Sequence, residues 1–232
     1  MRGRSRPVVA IDGPAGAGKS TVARAVADAL GFVFVDTGAL YRGLALAASE
    51  RGVDWEDGPA LAKLAGELDL SFGPEGHLRI DGDDRDDEIR TPEMAQGASK
   101  VSAHPEVRAA LLGVQRALGA DGGAVLEGRD IGTVVFPDAE VKVFLTAAPD
   151  ERARRRQRDL AERGVEADFQ DLLASIRERD ERDVHRAVAP LRPAEDAWVL
   201  DSTGRSLEEV VERVVARVRS VGQGPENSGR AT

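Results

Sequence analysis

Three observations predict an α/β fold, in which a mostly parallel central sheet lies between two layers of helices. Five apolar runs, "PVVAID", "FVFVD", "AVLEG", "VKVFLTA" and "WVLDS", alternate with helical stretches. Their near-continuous apolar character is that of strands buried on both faces. A glycine-rich turn then joins the first run to an alanine-rich helix, and this is the strand-turn-helix unit on which such folds are built. At 232 residues, 41% hydrophobic and 31% charged, the chain has the balance of one globular domain carrying insertions.

The first run ends at Asp12 and leads into Gly13, Pro14, Ala15, Gly16, Ala17, Gly18, Lys19 and Ser20, with Thr21 following. This satisfies G-x-x-x-x-G-K-[ST] in its required context, so the fold expected is a three-layer P-loop NTPase. Backbone N–H groups of the turn and the helix N-terminus face phosphate oxygens. Lys19 is expected to add a point charge at the β- and γ-phosphates, and the Ser20 hydroxyl to ligate Mg²⁺.

The second run ends at Asp36, where "DTGALYR" opens a helix at Thr37 or Gly38 with Tyr41 and Arg42 in its first turns. Ligands bind at the carboxyl ends of strands in such sheets, so these residues share an edge with the P-loop. Asp36 or Thr37 as a helix cap, with Arg42 as a surface charge, is the competing assignment. From about Leu68 to Ile89 short alternating segments separated by "GPEG" and "GDD" predict a small antiparallel excursion. The run "AVLEG" ends in Glu127, Gly128, Arg129 and Asp130, again at a carboxyl edge.

Residues 150–164, "DERARRRQRDLAERG", form an arginine-dense helical segment with no clean apolar face. It is a candidate lid that closes on a transferring phosphoryl group, or a solvated helix with i,i+4 pairs. Further on, Leu172, Ile176, Arg179, Asp183 and Arg186 fall on one stripe if their helix persists, apolar at its start and ionic at its end. Arginines from separate segments thus converge beside the P-loop, and a second phosphate acceptor accounts for them. The polar "SVGQGPENSGRAT" predicts a disordered tail from about 221 to 232.

The net charge of −9 argues against coating nucleic acid or an anionic membrane. With no cysteine, disulfides and thiolate chemistry are excluded. The basic start "MRGRSRP" is followed by an apolar run too short for a signal peptide or membrane span, so a cytoplasmic protein is expected.

The motifs "DGPAGAGKST", "DTGALYR", "EGRDIGTVVFPDA", "RERDERD" and "RAVAPL", in that order, make the sequence resemble the bacterial cytidylate kinases over about residues 7–220. The resemblance implies a single P-loop kinase domain: a core of 7–67, 104–149 and 165–220, a nucleoside-monophosphate-binding insert near 68–103, and an arginine lid near 150–164. It implies transfer of the γ-phosphoryl group of ATP to CMP or dCMP, with Mg²⁺. By position, Thr37, Arg108 and Asp130 would meet the cytosine, with Tyr41 packing nearby. Arg42, Arg129 and Arg186 would grip the acceptor phosphate, and Ser99, Arg179 and Asp183 would surround the ribose. The chemistry agrees, because a carboxylate accepts from the cytosine amino group and an arginine donates to its ring acceptors. Lys19, Arg129 and Arg186 are the residues expected to carry catalysis.

This chain has Thr37 where serine is common, which keeps the hydroxyl. It also has Glu127 where aspartate is common, which leaves a direct ligand role for that carboxylate open. A different small-molecule kinase is the first alternative. A regulatory nucleotide switch would carry N-K-x-D, which is absent here. A nucleic-acid-acting ATPase is disfavoured by the acidity and the 4% aromatic content. A monomer binding small nucleotides is expected.

Overall fold

The computed structural model describes residues 4–73, 75–162, 164–186 and 188–222. In chain order the elements are β1 (Val8–Asp12), α1 (Lys19–Leu30), β2 (Val33–Asp36), α2 (Thr37–Arg51), α3 (Gly58–Glu67), β3 (Leu70–Phe72), β4 (Leu78–Ile80) and β5 (Asp83–Asp84). There follow α4 (Pro92–Val101), α5 (Pro105–Ala117), β6 (Ala124–Gly128), a π-helical turn (Ile131–Val135), β7 (Val141–Thr146), α6 (Pro149–Glu162), α7 (Phe169–His185), β8 (Trp198–Asp201) and α8 (Leu207–Gly222).

All five apolar runs are strands of one parallel sheet in the order β2-β6-β1-β7-β8. Alternation across the pleat divides its core. Val9, Ile11, Val125, Val143 and Leu145 pack against α1 and α8, whereas Val8, Ala10, Val35 and Leu126 pack under the π-helical turn. Each of these fully buried Val, Ile and Leu side chains contributes roughly 2 kcal/mol. Burial on both faces holds for β1 and for β6 up to Gly128, but not for the outer strands. Val33 of β2 is 62% exposed and Val199 of β8 is 54% exposed, because a strand at the sheet's edge lacks a neighbour to cover it.

The excursion after Leu68 forms a three-stranded antiparallel sheet, β3-β4-β5. Its Leu70, Leu78 and Ile80 share one apolar cluster with α2, α3, α4 and α5. The stripe on α7 stops earlier than its spacing suggests. The helix ends at His185, Arg186 is extended at φ −61° and ψ 140°, and the Leu191 N–H turns back to the Asp183 carbonyl at 2.8 Å. Pro190 has no N–H to give the Arg186 carbonyl, so the helix cannot run on through it. At the other end of the chain Val221 and Gly222 still belong to α8, extending the spacing of buried Val210, Val214 and Val218. The expected tail from 223 onward lies outside the described residues. Among the described residues no helix is long and apolar enough to cross a membrane.

Candidate functional site

β1, β2 and β6 end side by side, so the P-loop, Asp36–Thr37 and Gly128–Asp130 meet at one edge of the sheet. Gly13 turns the chain away from β1 at φ 150°, where a Cβ would lie 1.9 Å from the Leu145 carbonyl oxygen. Only glycine fits there. Gly18 is left-handed and places Lys19 at the first position of α1. No side chain caps α1 and no acid stands in its first turn, whereas Asp36, Asp57, Thr91 and Asp168 cap α2, α3, α4 and α7. The first N–H groups of α1 are thus the ones suited to a phosphate. Ser20 and Thr21 are exposed on the same turn.

Lys19 is buried, and its Nζ donates to the Pro14 carbonyl at 2.9 Å. Burial and then the like charge of Arg129 push its pKa down to about 7. Arg179 and Arg186 are in the same condition. Burial and then Arg129 bring Arg179 down to about 10, and burial and then Arg108 lower Arg186. Arg42 Nε, Arg179 Nε and Arg186 Nη2 are buried with no hydrogen-bond partner. Such donors are costly unless an anion receives them.

The acids of the site organise these cations. Asp130, 4% exposed, accepts from Arg108 Nη2 and lies 3.8 Å from Arg186 Nη2. Asp183 accepts from Arg129 Nε at 3.0 Å. Against burial, Arg129 and then Arg179 hold the Asp183 carboxyl below its usual range. Asp36 does two things: it caps α2 by accepting from Ala39 N–H at 3.1 Å, and it pairs with Arg42 at 2.6 Å. The cap is real, and Arg42 is half-buried rather than a surface charge. Thr37 Oγ1 donates to the Glu127 carbonyl at 2.7 Å, and Tyr41 is buried beneath the Arg108 guanidinium, 5.5 Å from ring centre.

Thr37, Tyr41, Arg42, Arg108, Arg129, Asp130, Arg179, Asp183 and Arg186 are therefore drawn into one cleft with Lys19. Arg186 arrives from just beyond α7 rather than from the helical stripe. Ser99 stands half-buried on α4, and none of the ion pairs above reaches it.

Three more residues belong to the site without a role assigned from the sequence. Asp12 is buried and accepts from the Ile131 and Gly132 N–H groups at 2.8 and 2.7 Å. In the sequence it ends an apolar strand and heads the motif "DGPAGAGKST", and neither fact names its partners. Gln115 donates to the Tyr41 hydroxyl at 3.4 Å from two turns beyond Arg108 on α5. Glu127, 4% exposed, has its carboxylate beside the Ser20 hydroxyl and its Oε1 without a hydrogen-bond partner. Burial and then the charge of Asp36 push its pKa up to about 7.

A lysine-bearing phosphate loop beside a cleft of unspent guanidinium groups defines a phosphoryl-transfer enzyme of the P-loop kinase class. The family model for cytidylate kinase matches residues 9–220. The cytidylate kinase of Pelotomaculum thermopropionicum is 51% identical over 218 residues, covering 92% of this chain and 96% of that protein. That of Klebsiella pneumoniae is 53% identical over 216 residues, covering 92% and 95%. The chain belongs to the cytidylate kinase family. An uncharacterized protein from Eubacterium ventriosum, 12% identical, shares the fold with a TM-score of 0.53, covering 93% of this chain and 99% of that one.

Proposed function

We propose that the protein transfers the γ-phosphoryl group of ATP to CMP or dCMP, giving ADP and CDP or dCDP. The buried, under-partnered guanidinium cluster beside the P-loop carries this reading, because it is built to neutralise a second phosphate next to the donor's. An anionic oxygen of the CMP phosphate forms the new bond to the γ-phosphorus while the bond to the ADP oxygen breaks. No covalent enzyme intermediate and no strong base are needed.

Gly13 to Thr21 hold the donor phosphates, with Lys19 on the charge that develops in transfer. Arg42, Arg129 and Arg186 hold the acceptor phosphate, and Ser99, Arg179 and Asp183 surround its ribose. Asp130 accepts from the cytosine amino group, with Arg108 and Thr37 beside it and Tyr41 supporting Arg108. The acceptor lies between this edge and the insert near 68–103, with 7–67, 104–149 and 165–220 as the core.

The residues near Ser20 suit a hard cation: an exposed hydroxyl adjoins a buried carboxylate with one unpartnered oxygen. Ser20 and Glu127 would hold Mg²⁺, which supplies charge neutralisation of the transferring phosphates. Glu127 thereby gains a role that sequence alone left open. The lid is the outer face of α6, since Arg152 and Arg155 are bonded to the P-loop carbonyls of Ala15 and Ala17. ATP as donor supports a cytoplasmic location, and the charge of −9 supports binding to neither nucleic acid nor membrane.

ADP release from ATP with CMP, dCMP, UMP and AMP as acceptors tests the reading. CMP and dCMP should lead, and AMP as the best acceptor would sink it.

A further inference from the structure

Asp12 belongs to two loops at once. By covalent order it is the last residue of β1 and immediately precedes Gly13, where the P-loop starts. By hydrogen bonding it belongs to the loop after β6, because its two carboxylate oxygens accept from Ile131 N–H at 2.8 Å and Gly132 N–H at 2.7 Å.

Those two donors need it. The π-helical turn closes through Thr133, Val134 and Val135 N–H groups on the Asp130 carbonyl and through Phe136 N–H on that of Ile131. The N–H groups of Ile131 and Gly132 come too early in the turn to find a partner within it. Both residues are buried, so an unmet donor there costs about 1–3 kcal/mol.

Directly before Ile131 come Arg129 and Asp130. A carboxylate can accept from two parallel N–H groups, whereas an amide of the same shape turns its own NH₂ toward one of them. We infer that Asp12 is a positioning residue for the acceptor: its carboxylate fixes the loop bearing Arg129 and Asp130 in register with the P-loop, so acceptor affinity and base selectivity depend on it. This rests on the assignment of Arg129 and Asp130 to the acceptor nucleotide.

The test is steady-state kinetics of Asp12→Asn with ATP and CMP varied separately, beside the wild type. The KM for CMP should rise about tenfold while that for ATP moves less than about threefold, since misplacement by a fraction of an ångström falls on the acceptor side alone. The preference for CMP over UMP should shrink with it. A rise in the ATP constant with the CMP constant unmoved would assign Asp12 to the donor loop and overturn the inference. Unchanged Michaelis constants with only a lower Tm would overturn it too, leaving a packing role.

Amide hydrogen exchange on the wild type covers a variant that fails to fold. Ile131 and Gly132 should exchange as slowly as the amides of β1, and fast exchange at both would sink the inference. A wild type inactive on CMP would instead remove the functional reading beneath it.

Discussion

Arginine serves two ends in this molecule, and α6 and the cleft show the difference. On α6, Arg152 donates to the Ala147 and Ala15 carbonyls at 2.9 and 3.1 Å and makes a two-pronged pair with Asp180 at 3.0 and 2.6 Å. Arg155 is similarly occupied by Glu151, the Ala17 carbonyl and Ser202. In the cleft, Arg42, Arg179 and Arg186 each keep a buried N–H without a partner. Burial does not separate the two groups, for Arg152 is among the most buried arginines of the chain. Whether the donors are spent does. A guanidinium with every fork filled is a structural bolt, and one held among like charges with forks open is set for an anion.

Removing one residue from each group should produce opposite outcomes. Arg186→Ala gives the larger effect. Its charge is already disfavoured by burial and by Arg108, so its loss should leave Tm within a few degrees of the wild type. Turnover should fall about 10²- to 10³-fold, as for other preorganised donors to transferring charge. ATP titration should show donor affinity largely intact, and a loss confined to ATP affinity would move Arg186 to the donor side.

Arg152→Ala should do the reverse. It strands Asp180 and frees two carbonyls. Breaking a buried pair costs about 3–5 kcal/mol, and the 24% exposure of the Asp180 side chain discounts this to about 2–3. At this chain length that lowers Tm by roughly 5–10 °C. A Tm unchanged by the substitution would break the distinction between spent and unspent arginines.

The same distinction marks what the sequence could reveal. The five strands, the P-loop and the antiparallel excursion were legible because period, glycine placement and turn residues act locally. Arginine density pointed to 152–158, yet density says nothing of where donors go, and Arg152 and Arg155 bond to P-loop carbonyls more than 130 positions away in the chain. Glu127 stayed ambiguous because its open oxygen emerges only once β1 and β2 flank β6. Asp12 and Gln115 were overlooked for a related reason: one acts on a loop distant in sequence, the other on a ring from another helix. Arg186 was placed by helical spacing and arrives by way of a chain reversal.

Asp130→Asn is a milder probe of the cleft. It keeps the shape and removes the charge that Arg108 and Arg186 face. An amide can turn either its oxygen or its NH₂ toward the base, so discrimination against UMP should relax by about tenfold, or roughly 1.4 kcal/mol. CMP-to-UMP selectivity that stays as in the wild type would remove Asp130 from base reading and leave it as a bolt for the arginines.

The smallest effect is at most about one proton, and it asks whether Lys19 belongs with the open cations. With its pKa lowered to about 7 from 10.5 in the unfolded chain, the unfolded state binds the extra proton between those values. Stability of the free protein therefore gains from this group as pH rises through that window. A bound triphosphate supplies the missing anion and draws the ammonium form back. At pH 8, ATP binding should take up as much as about one proton, and ATP affinity should weaken as pH rises toward 10. Calorimetry in two buffers of different ionisation enthalpy measures the uptake. Lys19→Met should abolish the uptake, and binding with no proton exchange in the unaltered protein would place Lys19 with the satisfied arginines of α6.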